Sequence, residues 1–244
     1  MKNFLRFNNN KLDIVISTKE NGNMLYQMGG KEVYENYQRL SQSTGIDLNK
    51  VVRVILKNSS EFIEVDRAKG GDGVLPDKQN LIGYDGIITR DKNLYIAITT
   101  ADCFPVIIHD PVNDILGLAH CGWRGIVEQL EVKIMNKMIE MGSKIDDLEI
   151  TYGPGICRDC YVQHNEYLRD VFIQQYCYPL DIIEEVDGHY AVDIKLASQY
   201  NLREAGYTGD FKELNLCNYC DDRLFSVRRD GKETGRIVNL VAML

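Results

Sequence analysis

The stretch ITTADCFPVIIHDPVNDILGLAHCGWRG, residues 98–125, contains two apolar runs separated by the sequence DPVN. Asp followed by Pro is typical of a type I turn, so we predict that the two runs form an antiparallel β-hairpin. In a two-residue hairpin register, Cys103 faces His120, and the Cβ atoms of facing residues lie ~4.5–5.5 Å apart. A bulged, left-handed residue at Asn113 would shift this register by one residue.

The remainder of the chain alternates strand-like and helix-like segments irregularly. Such an order argues against a purely parallel sheet and predicts an α/β (α+β) fold: a single domain over residues 1–244, with a mixed β-sheet flanked by helices. The clearest helix follows the hairpin, because apolar residues recur at helical spacing up to a glycine. The predicted segments that matter below are a helix at 126–141 and strands at 12–17, 51–56, 62–65 and 225–229.

The bulk composition narrows the setting of the protein. The formal net charge is −8, whereas a duplex-binding protein normally shows a basic stripe, so nucleic acid is not an expected partner. No run approaches the ~18–20 apolar residues of a membrane helix, and the N-terminal residues lack the pattern of a signal peptide. Seven cysteines, an odd number, without such a signal favour reduced thiols. We therefore expect a cytoplasmic protein that does not contact a membrane; protein partners are not indicated.

The thiol of Cys103 and the imidazole of His120 allow three interpretations. Thiolate and imidazole are zinc ligands, and three protein ligands plus water make a catalytic zinc site. Without a metal, the same pair provides a thiolate nucleophile and its general base. The third interpretation is structural, with a buried cysteine and a histidine satisfied at a strand end.

The segment GWRG, Gly122 to Gly125, connects the second run to the predicted helix. Its two glycines allow close approach of the backbone to a ligand, and a helix start presents free N–H groups to an anion. Arg124 adds a forked donor suited to phosphate or carboxylate. An anion or substrate contact at Gly122, Arg124 and Gly125 is therefore one interpretation; a tight turn with a surface arginine is the other.

Four stretches together resemble the laccase-domain family, also called polyphenol oxidase or YfiH-type proteins. They are TADCFPVIIHDP, GLAHCGWRG, YGPGICRDCY and NLCNYCDDRLFSVRRDGKETGRIV, and GYDGIITR resembles the family's segment before the first of them. The resemblance implies a single α/β domain, a zinc ion bound by one Cys and two His, and phosphorolysis of purine nucleosides (adenosine, inosine, methylthioadenosine) or deamination of adenosine. Carried over by motif, Cys103 and His120 match two zinc ligands and Arg124 matches the family arginine.

The third family ligand is a histidine early in the chain, in a VHG or VHS stretch. Here the corresponding run is VILKNSSEFIEVD, and Asn58 stands where that histidine belongs. An amide oxygen is a poor zinc ligand compared with imidazole. The comparison therefore predicts a weak or absent zinc site and an enzyme with weakened or altered activity.

Copper is less favoured than zinc. The family's older label is copper oxidase, but a multicopper site needs a further cluster with many imidazoles. Four histidines in the whole chain do not supply that number.

Two further motifs carry reactive or charged groups. Cys157 and Cys160 form one CxxC pair, and Cys217 and Cys220 form a second. The ~15–20 residues usual between the pairs of a four-cysteine zinc site are greatly exceeded, so the spacing argues against one. A redox CxxC at a helix start is a further alternative. Both pairs lie in segments that resemble the family, and that resemblance suggests a role in packing or in the walls of the site. RRDG at 228–231 is either an anion contact or, as charged side chains more often are, a solvated rim.

The function that the resemblance implies, and that the anion contact at GWRG suits, is purine nucleoside processing. Phosphate would rest near Arg124 and the helix start at Gly125, while Cys103 and His120 take part in catalysis. Two alternatives are a metal-free Cys–His thiol hydrolase and a catalytically weakened relative that acts as a binding protein. The expected partners are small molecules, namely a purine nucleoside and phosphate.

Overall fold

A computed structural model describes residues 3–244 and shows a mixed α/β fold. The strands are β1 (Phe4–Asn9), β2 (Leu12–Ser17), β3 (Val51–Arg53), β4 (Phe62–Val65), β5 (Gly86–Thr89), β6 (Tyr95–Thr100), β7 (Phe104–Asp110), β8 (Ile115–Cys121), β9 (Glu149–Tyr152), β10 (Val162–Gln163), β11 (Ile183–Val186), β12 (His189–Val192), β13 (Phe211–Glu213) and β14 (Ile237–Met243). The α-helices are α1 (Tyr26–Gly29), α2 (Glu32–Thr44), α3 (Trp123–Val127), α4 (Leu130–Glu140), α5 (Tyr167–Asp170), α6 (Ile194–Glu204) and α7 (Val227–Asp230).

Two mixed sheets form the body of the fold, and a small sheet β10–β12–β11 lies apart from them. One sheet has the order β1–β2–β14–β6–β3, and the other has the order β13–β9–β7–β8–β5–β4. Pairing is parallel between β3 and β6, between β4 and β5, and between β13 and β9, and antiparallel elsewhere in both sheets. The predicted fold class is confirmed, with one correction: the core is built on two mixed sheets rather than one.

The alternation of side chains along each strand explains the layers. On β8, Leu116 and Leu118 pack into the cluster between the two sheets, whereas Ile115 and Ala119 pack on the opposite face against α4 and α6. The outer face of the first sheet is covered by α2. His120 has the parity of Leu116 and Leu118, so its side chain belongs to the face between the sheets, where β8 ends.

Two local predictions near the hairpin were wrong. The single helix predicted at 126–141 is broken into α3 and α4, because Gln129 is left-handed (φ 59°). The Ile126 carbonyl near the end of α3 is satisfied from outside the helix, since Asn201 Nδ2 and the Tyr178 hydroxyl donate to it. The strand predicted at 225–229 is also not formed: residues 227–229 belong to α7, and the hydroxyl of its N-cap, Ser226, accepts the Arg229 N–H.

A buried carboxyl group, Glu131 on α4, makes the stability of this region depend on pH. Burial is the main cause that raises the pKa of Glu131 to about 7, while a hydrogen bond from Asn201 opposes the rise. A carboxyl whose pKa rises on folding stabilises the protein when it is protonated, and this contribution is lost as pH increases from the unfolded value toward 7.

We therefore expect the free energy of unfolding to decline between about pH 4.5 and pH 7, by roughly 1–3 kcal/mol at Glu131. Glu131→Gln keeps an acceptor for Asn201 and removes the charge, so its decline should be shallower over the same range. Urea denaturation at a series of pH values measures both curves. Parallel curves for the parent and the variant would contradict the assignment.

Among residues 3–244, no helix combines the length and the apolar composition that a segment crossing a bilayer requires.

Candidate functional site

The pairing register of the β7–β8 hairpin is shifted by two residues from the predicted one. Pro105 lies opposite His120, and Phe104 lies opposite Cys121, so Cys103 does not face His120 directly. The connection has four residues, 111–114, because the Asp110 side chain accepts the N–H groups of two of them. The left-handed residue of this loop is Asp114 rather than Asn113.

Cys103 and His120 nevertheless lie together. A two-residue shift keeps both side chains on the same face of the sheet, and they become diagonal neighbours. Extending the register beyond the strand ends places Gly122 opposite Cys103. A Cβ atom at Gly122 would lie 2.8 Å from Cys103 Sγ and 3.9 Å from His120 Cε1. The absence of a side chain at Gly122 therefore leaves the space that the thiol occupies beside the imidazole.

Asp85 holds the imidazole of His120 in place. Its Oδ1 lies 2.9 Å from His120 Nδ1, and both side chains are buried. Burial by itself lowers the pKa of His120, but Cys103 and Asp85 outweigh it and raise the pKa to about 10. Burial raises the pKa of Asp85, but the hydrogen bond to His120 and backbone N–H groups hold it below its usual range. Asp85 thus occupies Nδ1, and Cys103 is a second hydrogen-bonding neighbour of the ring.

The same carboxylate fixes the loop that carries Asn58. Asp85 accepts the N–H groups of Lys57 (3.0 Å), Asn58 (3.1 Å) and Ser59 (2.9 Å). Asn58 is left-handed, with φ 53°, and it lines the same cavity as Cys103 and His120. The structure thus brings together the three positions that the sequence comparison connects with zinc.

The donor atoms at this place do not match a three-ligand zinc site. Within residues 3–244, no third His, Cys, Asp or Glu joins Cys103 and His120 in a group that could hold a metal. Asn58 offers only an amide, which is a weak donor to zinc. His109 is buried near the far end of β7, and the rings of His164 and His189 pack on each other at 4.5 Å. Two of the three ligands implied by the resemblance are present.

A cavity of about 540 Å³ opens over this pair. Four cationic side chains line it, and none of them forms an ion pair with a carboxylate of the described residues. They are Arg124, Arg228, Lys232 and Arg236. One carboxylate, Asp102, also lines the cavity. Because the chain carries a net charge of −8, an excess of cations over carboxylates in this cavity is a local reversal of charge, which suits an anionic ligand.

The GWRG segment is not a connection ahead of the helix, as predicted, but largely part of the helix itself. Helix α3 begins at Trp123, so Arg124 lies in its first turn, and its guanidinium stacks on the Trp123 ring at 4.2 Å. Gly122 is the N-cap and lines the cavity, but Gly125 does not line it. A Cβ atom at Gly125 would lie 3.0 Å from the His120 carbonyl oxygen, so this glycine allows α3 to pack on β8. A ligand contact at Gly125 stays a prediction.

Two acidic residues of the site were not singled out by the sequence analysis. Asp85 lies within the GYDG segment, where only the resemblance gave a signal. Asp102 precedes Cys103 and has a left-handed backbone (φ 88°), which is rare for a residue other than glycine. Its Oδ2 accepts the Arg228 N–H at 2.8 Å, and its carbonyl accepts the Ile156 N–H at 2.8 Å. Asp102 therefore connects the hairpin to two other walls of the cavity.

Comparison with known proteins agrees with this geometry. Residues 20–244 match the family described as multi-copper polyphenol oxidoreductase laccase. The chain belongs to this family. It is 27% identical over 215 residues to purine nucleoside phosphorylase YlmD of Bacillus subtilis, covering 87% of this chain and 77% of that protein. It is 27% identical over 201 residues to adenosine deaminase RL5 of an unknown prokaryotic organism, covering 81% and 76%.

Both of these names are enzyme names, so the prediction of an enzyme of this family is confirmed. The crystal structure of YlmD from Geobacillus stearothermophilus superposes with a TM-score of 0.86 at 23% identity, covering 100% of this chain and 99% of that one. At that identity the similarity supports the fold alone.

Few imidazoles are available in this chain for the copper chemistry that the family's description names. The chain has four histidines, and of these only His120 lines the cavity. Blue-copper sites use two His and one Cys, and multicopper clusters need more imidazoles. The donor set of this chain does not match either arrangement.

Proposed function

We propose that this protein cleaves purine nucleosides with inorganic phosphate. The observation that carries the proposal is the cavity in which Cys103 and His120 lie beside four cationic side chains that form no ion pair with a carboxylate, while Asp85 holds His120 from behind. Phosphate is the anionic co-substrate of phosphorolysis, and arginine is the side chain best suited to bind it through two parallel hydrogen bonds. The names of the relatives supply the class of the other substrate.

In this reaction a phosphate oxygen forms a bond to C1′ of the sugar, and the bond from C1′ to the purine nitrogen breaks. The bonding electron pair leaves with the purine, which takes up a proton, and the products are a sugar 1-phosphate and a free base. Arg124 and Arg228 hold the phosphate and stabilise charge as it moves. His120, oriented by Asp85, is placed to give the purine its proton.

No step of this mechanism passes through zinc, because the donor set lacks a third nitrogen, sulfur or carboxylate ligand. This also favours phosphorolysis over deamination. Deamination requires an activated water to attack the base, and in nucleobase deaminases that activation comes from a zinc ion held by three protein ligands.

The test is a substrate assay on the purified chain. Adenosine, inosine and methylthioadenosine are incubated with and without phosphate, and the products are separated by chromatography. We expect free base that appears only with phosphate. Base release without phosphate, or inosine formed from adenosine, would replace the proposal with hydrolysis or deamination. Rapid alkylation of Cys103 without any nucleoside turnover would favour the thiol hydrolase, and neither reaction would favour a binding protein.

Arg124→Ala is expected to raise the KM for phosphate about 10–100-fold, because it removes a charge-assisted contact worth ~1.5–3 kcal/mol. The nucleoside KM should change little. Arg67→Ala is the matched control, since Arg67 is exposed, lies far from Arg124 in the sequence and does not line the cavity. Equal phosphate KM values in Arg124→Ala and Arg67→Ala would remove Arg124 from the phosphate site.

A further inference from the structure

The two CxxC pairs meet at one point of the surface. The sulfur atoms of Cys157, Cys160, Cys217 and Cys220 all lie within 4.8 Å of one another, and the Sγ atoms of Cys160 and Cys220 are 3.4 Å apart. The long separation in sequence, which argued against a shared site, is therefore not a separation in space.

Parallel pairing of β9 with β13 explains the meeting. The pairing continues past both strand ends, where Gly155 donates to the Leu216 carbonyl and Asn218 donates to the Gly155 carbonyl. The first cysteine of each pair is thus delivered to the same edge. Each segment then turns back on itself, since Cys160 N–H donates to the Cys157 carbonyl and Asp221 N–H donates to the Cys217 carbonyl. The turns bring the second cysteines next to the first.

We propose that these four cysteines bind one structural zinc ion. In a tetrahedral site with Zn–S bonds of ~2.3 Å, the sulfur atoms lie ~3.8 Å apart. The observed contact of 3.4 Å and upper limit of 4.8 Å fall on either side of that value. Four thiolates in a tetrahedral arrangement are the donor set of structural zinc sites, and these sites leave no open position for substrate.

The surrounding hydrogen bonds also suit bound thiolates. The Cys157 N–H points at Cys217 Sγ, 3.4 Å away, and such donors stabilise negative sulfur in metal sites. The turn of the second pair is held from outside, because Arg229 Nη1 donates to the carbonyls of Asn218 and Tyr219. Cys157, Cys160 and Cys217 are half-buried and Cys220 is exposed, so a metal ion can reach the cluster from solvent.

A zinc ion here would join two walls of the cavity described above. Tyr161 lines that cavity, and its N–H donates to the Cys157 carbonyl. Its ring carries the Arg228 guanidinium at 5.0 Å. The zinc would hold the loop after β9 against the loop after β13, and it would thereby fix Tyr161 and Arg228. This role is structural, separate from Cys103 and His120, and it does not depend on the proposed reaction.

The experiment is metal analysis of the full chain, expressed with zinc in the medium and purified under reducing conditions. We expect one zinc per chain by plasma mass spectrometry. The double variant Cys160→Ser/Cys220→Ser should lose it. Cys177→Ser, which changes an exposed cysteine outside the cluster, and Cys103→Ser, which changes the other site, should both keep it. Unchanged zinc in the double variant would overturn the proposal.

A second measurement on the unmutated chain covers the case in which the double variant does not fold. Metal is removed under reducing conditions, and Co²⁺ is added, followed by Zn²⁺. The absorption bands of tetrahedral cobalt bound to four thiolates should appear and then be displaced by zinc, with four thiols protected from alkylation. Two disulfides found by mass spectrometry in the native chain, bound iron in place of zinc, or cobalt bands typical of oxygen and nitrogen ligands would each refute the site.

Discussion

Asp85→Asn is expected to lower the free energy of unfolding by about 3–5 kcal/mol, the usual cost of breaking a buried ion pair. Asp85 is fully buried, and its two oxygens accept hydrogen bonds from three backbone N–H groups, from the Ser59 hydroxyl and from His120. An amide offers one acceptor oxygen where the carboxylate offers two. Its NH₂ group would therefore face donors, and His120 would lose its negative partner.

Asp85→Asn should also lower the rate of catalysis, because Asp85 orients His120 without itself lining the cavity. Removing a group that orients a functional side chain typically costs about 10–100-fold. We expect kcat to fall by that factor in the fraction of the variant that is folded, with the phosphate KM unchanged. Arg124→Ala should show the opposite pattern, in which KM changes more than kcat.

Asp110→Asn is the matched control. Asp110 is also fully buried and accepts two backbone N–H groups. It lies on the hairpin that carries His120, but at the other end of β7 from His120. It should lose stability and keep its kcat per folded molecule. Denaturant titration gives the stabilities and steady-state assays give the constants. If both variants lose kcat equally, Asp85 has only a structural role.

The hairpin shows what the sequence could and could not predict. The two apolar runs and the polar residues at their ends identified β7, β8 and the pair Cys103 and His120 correctly as neighbours on one face. The register was wrong because it depends on the loop, and the side chain of Asp110 stabilises a four-residue loop that residue preferences alone do not reveal. Local pattern fixes the face, while individual hydrogen bonds fix the register.

Contacts between distant segments were the other difficulty. Asp85 reaches His120 because β5 pairs with β8, and the cysteine pairs meet because β9 pairs with β13. Both pairings join segments far apart in the chain, and periodicity within one segment carries no information about them. A typical spacing of ligands is therefore a guide to short zinc-binding loops, and it fails where parallel strands deliver each pair to the same edge.

Asn58→His is expected to create a zinc site at Cys103 and His120. Asn58 lines the same cavity as these two residues, and its backbone is held by Asp85, which also holds His120. Its left-handed conformation, with φ 53°, is one that histidine tolerates better than most residues. An imidazole there would supply the third nitrogen or sulfur ligand that a catalytic zinc site requires.

The expected gain is large, because even changes in groups that only support a ligand alter metal affinity about 10–100-fold, and a directly bound imidazole should matter at least as much. The parent chain should carry one zinc, at the four cysteines, and Asn58→His should carry a second that survives the change Cys160→Ser/Cys220→Ser. Lys57→His is the matched control, since Lys57 is the preceding residue and does not line the cavity.

Zinc content by plasma mass spectrometry and competition with a coloured chelator measure both the number and the affinity of the sites. Deamination of adenosine should be assayed on the same samples, since a three-ligand zinc ion is the group that activates water for that reaction. The parent's preference for phosphate and a gain of deamination in Asn58→His would together show that Asn58 limits this chain's chemistry. Two zinc ions in the parent, with no gain from Asn58→His, would show that another residue completes the site and that Asn58 does not correspond to the family's histidine.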